Sequence, residues 1–164
     1  MNTQTSYDAV AEEYAARIAD ELKDKPLDLQ LLDRFAANVS GPVCDVGCGS
    51  GHVTRYLHDH GADVFGIDLS PGMLARARRL NPDVRFEVSD MQALTLADAS
   101  VAGITAFYSL IHISRANIVA VLRELKRVLK PNGLLFVAFH IGDETSHLQE
   151  WWDCTVEVDF HDIS

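Results

Sequence analysis

Apolar residues recur at three- and four-residue intervals through "SYDAVAEEYAARIADELKD", which predicts an amphipathic helix. Val10, Tyr14 and Ile18 form one stripe, with Tyr7, Ala11 and Leu22 beside it. Pro26 breaks the pattern, and "LDLQLLDRFAANV" predicts a second helix that ends at Ser40-Gly41-Pro42. Beyond Pro42 the period changes. Short apolar runs, "PVCDVG", "ADVFGID", "VRFEVSD", "VAGITAFYS" and "LLFVAFH", read as five buried strands. Helical segments separate them: "HVTRYLHDHG", closed by Gly61, then "SPGMLARARRL", with Ser70 as N-cap and Pro71 in its first turn. "RANIVAVLRELKRVLKP" is the last, with Ile118, Leu122, Leu125 and Leu129 at helical spacing, and Pro131-Asn132-Gly133 turns the chain into the fifth strand.

Strands that alternate with helices and are apolar on both faces require a parallel sheet covered on both sides. The expected fold class is therefore α/β, a Rossmann-like doubly wound sheet, with an N-terminal helical cap. The 164 residues fit one domain. Within it, residues 1–40 supply the cap, 41–140 the ligand-binding core and 141–164 an incomplete C-terminal segment. Ligands in such sheets bind at the carboxyl ends of the strands, where the strand order reverses.

Composition narrows the partners. A formal net charge of −10 gives a field that repels polyanions, so neither nucleic acid nor an anionic membrane is an expected partner. The densest basic stretch, "ARARRL", reads as a solvated helix face. Cys44, Cys48 and Cys154 lack a matching metal-ligand pair, which predicts free thiols and no metal. The N-terminus lacks the charge and apolar run of a signal peptide, and no apolar run reaches the roughly 18 residues of a membrane span. A cytoplasmic protein is expected.

The stretch Asp45-Val-Gly47-Cys-Gly49-Ser-Gly51 leaves a strand and opens a helix. Glycines there permit a tight turn and close approach of a ligand to the backbone, and the helix start offers free N–H groups. Dinucleotide enzymes use G-x-G-x-x-G, but here His52 stands where the third glycine belongs. A carboxylate at Asp45, near the mouth of the loop, would oppose a pyrophosphate and favour a ligand with positive charge. Asp68 ends the second strand, where a carboxylate can accept the hydroxyls of a ribose. Ser89-Asp90-Met91 ends the third, where an aspartate can accept from an adenine amino group. Singly each acid reads better as a cap or loop residue; together, at the ends of three consecutive strands, they point to a nucleoside.

These motifs resemble the class I S-adenosylmethionine-dependent methyltransferases of the broad small-molecule group, over roughly residues 5 to 160. "CDVGCGSG" resembles the first motif of that family closely and "GIDLSPGMLARAR" the second, with "SDMQAL" and "KPNGLLFVAFH" in support. The resemblance implies that Gly47, Cys48, Gly49 and Gly51 lie against the methionine part of S-adenosyl-L-methionine, whose product is S-adenosyl-L-homocysteine. It gives Asp68 the ribose, Leu69 and Met73 the faces of the adenine, and Asp90 with the backbone of Met91 its edge. Asp45 would act near the cofactor amino group through water, and Tyr14 would cover the cofactor.

The acceptor is implied to be a small molecule, and its methylated atom stays open. Tyr108 and Ser109 are expected beside the transferred methyl. His112 follows as the candidate general base, or equally as a pocket or capping residue; His140 is a second pocket candidate. In the family a helix and two antiparallel strands ordinarily follow the fifth strand, whereas here "WWDCTVEVDFHDIS" ends the chain, with "TVEVDFH" alternating as a strand. The exposed edge of the fifth strand is expected to be covered by the chain's own terminus or by a partner copy in a homodimer. Two other readings stay open: a domain that binds the cofactor without catalysis, and an NAD(P)-dependent oxidoreductase.

Overall fold

A computed structural model describes residues 2–164. In chain order the elements are α1 (Thr3–Ile18), α2 (Pro26–Asn38), β1 (Val43–Val46), α3 (His52–Asp59), β2 (Val64–Asp68), α4 (Pro71–Leu80), β3 (Phe86–Val88), β4 (Val101–Phe107), α5 (Arg115–Val128), β5 (Leu129–Ala138), β6 (Thr145–Trp151) and β7 (Cys154–His161). Two short 3-10 turns, Glu21–Asp24 and Leu110–His112, follow α1 and β4.

The central sheet is parallel throughout, in the order β3-β2-β1-β4-β5. The chain moves outward from β1 through β2 to β3, then returns to the other side of β1 as β4. That reversal opens a crevice at the strand tips between β1 and β4. Alternation along β1 divides the core: Val43 packs with Leu32, Phe35, Val53 and Leu57 of α2 and α3, and Cys44 and Val46 pack with Val121, Leu125 and Val128 of α5. Helices thus cover both faces, and the Rossmann-like α/β architecture is the one the strand–helix alternation requires. Burial in α5 follows Val121, Leu125 and Val128; Leu122, expected inside, is 40% exposed.

Local chemistry fixes several boundaries. Ser70 caps α4, its Oγ accepting from the N–H of Met73 at 3.0 Å, and Pro71 opens the helix. Asp8 of α1 adds a second cap, accepting from Ser70 Oγ at 2.5 Å and from the Gly72 N–H at 2.7 Å. Pro131-Asn132-Gly133 is a bulge inside β5: register slips between Val101–Leu129 and Gly103–Leu134, with Asn132 at φ 63°. The arginines of "ARARRL" are more engaged than a solvated face requires. Arg76 and Arg79 pair with Glu12 of α1, and Arg78 donates to the carbonyl of Phe86.

The C-terminal segment departs from expectation. "TVEVDFH" is a strand, but its partner is β6, and the two form a separate antiparallel hairpin. The turn is Trp152-Asp153, both left-handed, at φ 51° and 62°. The hairpin packs on α1, where Val156 and Val158 meet Val10 and Ala11. Ser6 Oγ donates to the Glu157 carbonyl at 3.2 Å and accepts from the Glu157 N–H at 2.8 Å. The chain's own terminus therefore leaves the outer edge of β5 uncovered among the described residues, and Leu135 there is 44% exposed.

Candidate functional site

A cavity of about 190 Å³ lies at the carboxyl tips of β1, β2 and β4. Its floor is the glycine loop, and α1 with the first 3-10 turn forms part of its wall through Tyr7, Tyr14 and Glu21. All three loop glycines have left-handed backbones, at φ 70°, 55° and 84° for Gly47, Gly49 and Gly51. They are needed for different reasons. A Cβ on Gly47 would meet the Ser109 Cβ at 2.4 Å, and one on Gly51 the Phe86 ring at 2.9 Å; both glycines serve packing. A Cβ on Gly49 would meet only the Tyr14 ring, at 3.7 Å, so this glycine faces open space. A cradle that a side chain would fill is a place for a ligand.

Asp68 lies beside it. One carboxylate oxygen accepts from the Gly49 N–H at 2.8 Å and the other from the Ser70 N–H at 2.8 Å. Burial pushes its pKa up, while the bonds from Ser70 and Gly49 oppose the rise. A carboxylate has about four acceptor positions, so lone pairs remain for a ligand. Leu69, Asp90 and Met91 continue the wall, with Asp90 accepting from the Gln92 N–H at 2.8 Å.

Four expected residues do not line this cavity. Asp45, expected at the mouth of the loop, lies behind it and is 1% exposed. It accepts from Thr54 Oγ1 at 2.6 Å and Thr105 Oγ1 at 2.7 Å, bracing β1 against α3 and β4. Burial raises its pKa although both threonines oppose this. Asp45 shares the strand phase of Val43, toward the face covered by α2 and α3, and so turns into the core and not out of the strand tip. Met73 is fully buried among Val10, Ala11, Val156 and Val158 on the far side of α4, and Gly51 is closed off by Phe86. His140 stacks obliquely on Tyr108, ring centres 4.9 Å apart, also outside the cavity wall. Tyr14, Gly47, Cys48, Gly49, Asp68, Leu69, Asp90, Met91, Tyr108 and His112 all line it.

Several wall residues carried no signal in the sequence. Glu21 lies in a stretch that reads as the polar end of a helix, yet it accepts from Lys25 Nζ at 2.7 Å and lies 3.2 Å from His52 Nε2. Burial would raise its pKa, but His52 and Lys25 hold the carboxyl down at about 2. His52 itself, noted in the sequence where a dinucleotide motif has its third glycine, lines the cavity with neither ring nitrogen in an aligned hydrogen bond. Lys25 also lies 4.0 Å above the Tyr108 ring. Tyr7, read as part of an apolar stripe, brings its hydroxyl to 2.7 Å from His112 Nε2. Cys48 faces inward beside Gly66, and burial pushes its thiol well up, which leaves it unreactive. Among the residues lining the cavity there are three acids, Glu21, Asp68 and Asp90, and no lysine or arginine.

Comparison with known proteins gives a consistent result. A family model described as a methyltransferase domain matches residues 43–133, more than half of the chain. The chain is 38% identical over 107 residues to a demethylmenaquinone methyltransferase of Beutenbergia cavernae, covering 65% of this chain and 44% of that protein. It is 31% identical over 138 residues to a malonyl-[acyl-carrier protein] O-methyltransferase of Enterobacter lignolyticus, covering 81% and 52%. The chain thus spans about half the length of these curated relatives. Among solved structures, that of DhpI in complex with SAH superposes with a TM-score of 0.77 at 23% identity, covering 98% of this chain and 78% of that one, a likeness of fold. No helix among the described residues is long and apolar enough to cross a membrane.

Proposed function

The chain belongs to the methyltransferase-domain family, and from that premise we propose that it transfers the methyl group of S-adenosylmethionine to a small-molecule acceptor, releasing S-adenosylhomocysteine. The observation that carries this reading is the charge of the cavity wall: three carboxylates, Glu21, Asp68 and Asp90, line the cavity onto which Gly49 opens, and no arginine or lysine lines it. Such a wall attracts a sulfonium and an ammonium group and opposes a pyrophosphate, which argues against the dinucleotide alternative.

The residues fit that donor. The free lone pairs of Asp68 suit a ribose diol. Leu69, more than a third exposed, and Met91 offer apolar surface to an adenine, and Asp90 an acceptor for its amino group. The loop at Gly47, Cys48 and Gly49 would carry the amino-acid end. Glu21, held ionised by His52 and Lys25, supplies there the negative charge that Asp45 keeps buried behind the loop. Tyr14 closes over Gly49 from α1. When bound, the donor supplies a methyl carbon made electrophilic by the sulfonium, and its C–S bond breaks with the electron pair kept on sulfur. The chain's part is to align the acceptor with that carbon and exclude water.

The names of the relatives suggest two acceptor chemistries, a quinol nucleus and a carboxyl group. Incubation with radiolabelled S-adenosylmethionine, a naphthoquinol and a malonyl thioester tests the reading. Label transferred to either supports it. Tight binding of the donor with no transfer to these or to a metabolite extract would leave a binding domain in its place.

A further inference from the structure

Tyr7 of α1 and His112 of the 3-10 turn after β4 are 105 residues apart in sequence, and both line the cavity. The Tyr7 hydroxyl lies 2.7 Å from His112 Nε2, and His112 Nδ1 lies 3.0 Å from the backbone carbonyl of Asp159 in β7. A carbonyl oxygen only accepts, so Nδ1 must carry the hydrogen and Nε2 the free lone pair. The phenol then donates to Nε2. Both nitrogens of His112 are thus engaged, and its Nε2 lone pair is held by the Tyr7 hydroxyl.

We propose that Tyr7 is the catalytic residue that removes a proton from the acceptor, with His112 behind it as the positioning residue that receives the phenolic proton. The inference rests on the methyl-transfer reading and deepens it. For an acceptor X–H, the electron pair of the X–H bond stays on X as the X–C bond forms. Its proton passes to the Tyr7 oxygen while the phenolic proton passes to His112 Nε2. Tyr7 ends as a neutral phenol and His112 as an imidazolium still bonded to Asp159, which returns its proton to solvent as the cavity opens. A direct phenolate route is disfavoured, because burial, together with Tyr14 and Asp68, pushes the Tyr7 pKa well up.

The surroundings suit the receiver. Burial lowers the His112 pKa against the bond to Asp159, and His161 of β7 lowers it further. Tyr7 of α1 and Phe160 of β7 face it edge-on, with Tyr14 packed on Tyr7, and the Asp159 carboxylate bonds instead to His147 at 2.7 Å. His112 is therefore a free base at neutral pH, ready to accept. The dyad also selects the acceptor. A phenol, a quinol or an amine loses a proton on methylation, whereas a carboxylate is already ionised at pH 7 and has none to lose.

Imidazole NMR of the isotope-labelled full chain decides the geometry without any acceptor. Expected for His112 is the neutral, Nδ1-protonated tautomer, titrating below the ordinary value of about 6.5. In Tyr7→Phe the midpoint should rise, because the donor favouring the neutral ring is gone while the aromatic packing is kept. The opposite tautomer, or a titration unmoved by Tyr7→Phe, would overturn the relay. In kinetics, the naphthoquinol should be methylated in preference to the malonyl thioester, and Tyr7→Phe should lower kcat by about 100-fold with little change in KM. Preference for the malonyl thioester, or an unchanged kcat, would count against it. Failure of the wild-type chain to bind S-adenosylhomocysteine would instead remove the methyl-transfer reading, leaving the tautomer result standing by itself.

Discussion

The two walls of the cavity are assembled by different means. On the nucleoside side, Gly49 and Asp68 are only 19 residues apart, Gly49 in the loop that leaves β1 and Asp68 at the end of the adjacent parallel strand β2, whose register holds them together. On the acceptor side, Tyr7, His112 and Asp159 come from an N-terminal helix, a turn after β4 and a C-terminal hairpin, with separations of 105 and 47 residues. The first wall forms with the sheet. The second exists only when α1 and the hairpin dock together, through Ser6, Val10, Ala11, Val156 and Val158. Closing long loops costs entropy, and that docking cluster offsets the cost. The donor floor is therefore built into the sheet, and the acceptor wall is set by the docking of the cap.

The contrast can be broken from the floor first. Gly49→Val fills the cradle, and affinity for S-adenosylhomocysteine should fall at least about 100-fold by calorimetry, close to 3 kcal/mol, while unfolding stays cooperative at a midpoint lowered by the strain of a side chain at φ 55°. Gly47→Ala should act in the opposite sense, on stability. A left-handed alanine costs about 1–2 kcal/mol, and overpacking against Ser109 adds about 1–3 kcal/mol. Chemical denaturation should show the loss. Asp68→Ala should weaken binding by about 1–3 kcal/mol, and an unchanged affinity would remove its pairing with the ribose.

Changes to the cap should be smaller and leave the floor intact. Ser6→Ala strips the Glu157 N–H of its partner, at a cost of about 1–2 kcal/mol. Hydrogen exchange should quicken in β6 and β7 and leave β1 and β2 unaltered. The smallest effect concerns Glu21. Its carboxyl is held at about 2 against an ordinary 4.5 by His52 and Lys25, so the folded pKa lies below the unfolded one. That stabilisation is complete above pH 4.5 and is lost as pH falls toward 2. Glu21→Gln should flatten this acid limb in a pH series of thermal melts.

The same contrast governs how much the sequence discloses. The five sheet strands, the Ser70 cap and the loop with Asp68 and Asp90 are legible because each is a contiguous signal: an apolar run, a capping residue, glycines at a turn. Strand β6 is not, because its hairpin turn is Trp152-Asp153, with neither glycine nor asparagine to mark the left-handed pair. Tyr7 falls on the apolar stripe of α1, and periodicity cannot distinguish a core tyrosine from one whose hydroxyl reaches a cavity. Glu21 and His52 meet only after α1 has folded over the loop. The sequence does place Asp45 at the end of a strand, but the direction of its side chain depends on strand phase, and that phase turns it inward between Thr54 and Thr105.

Calorimetric titration of the wild-type chain with S-adenosylhomocysteine and, separately, with NADH distinguishes a site for a cationic nucleoside from one for a diphosphate. Micromolar binding of the thioether nucleoside and no binding of the dinucleotide are expected from a cavity walled by Glu21, Asp68 and Asp90. Binding of NADH with none of S-adenosylhomocysteine would contradict it.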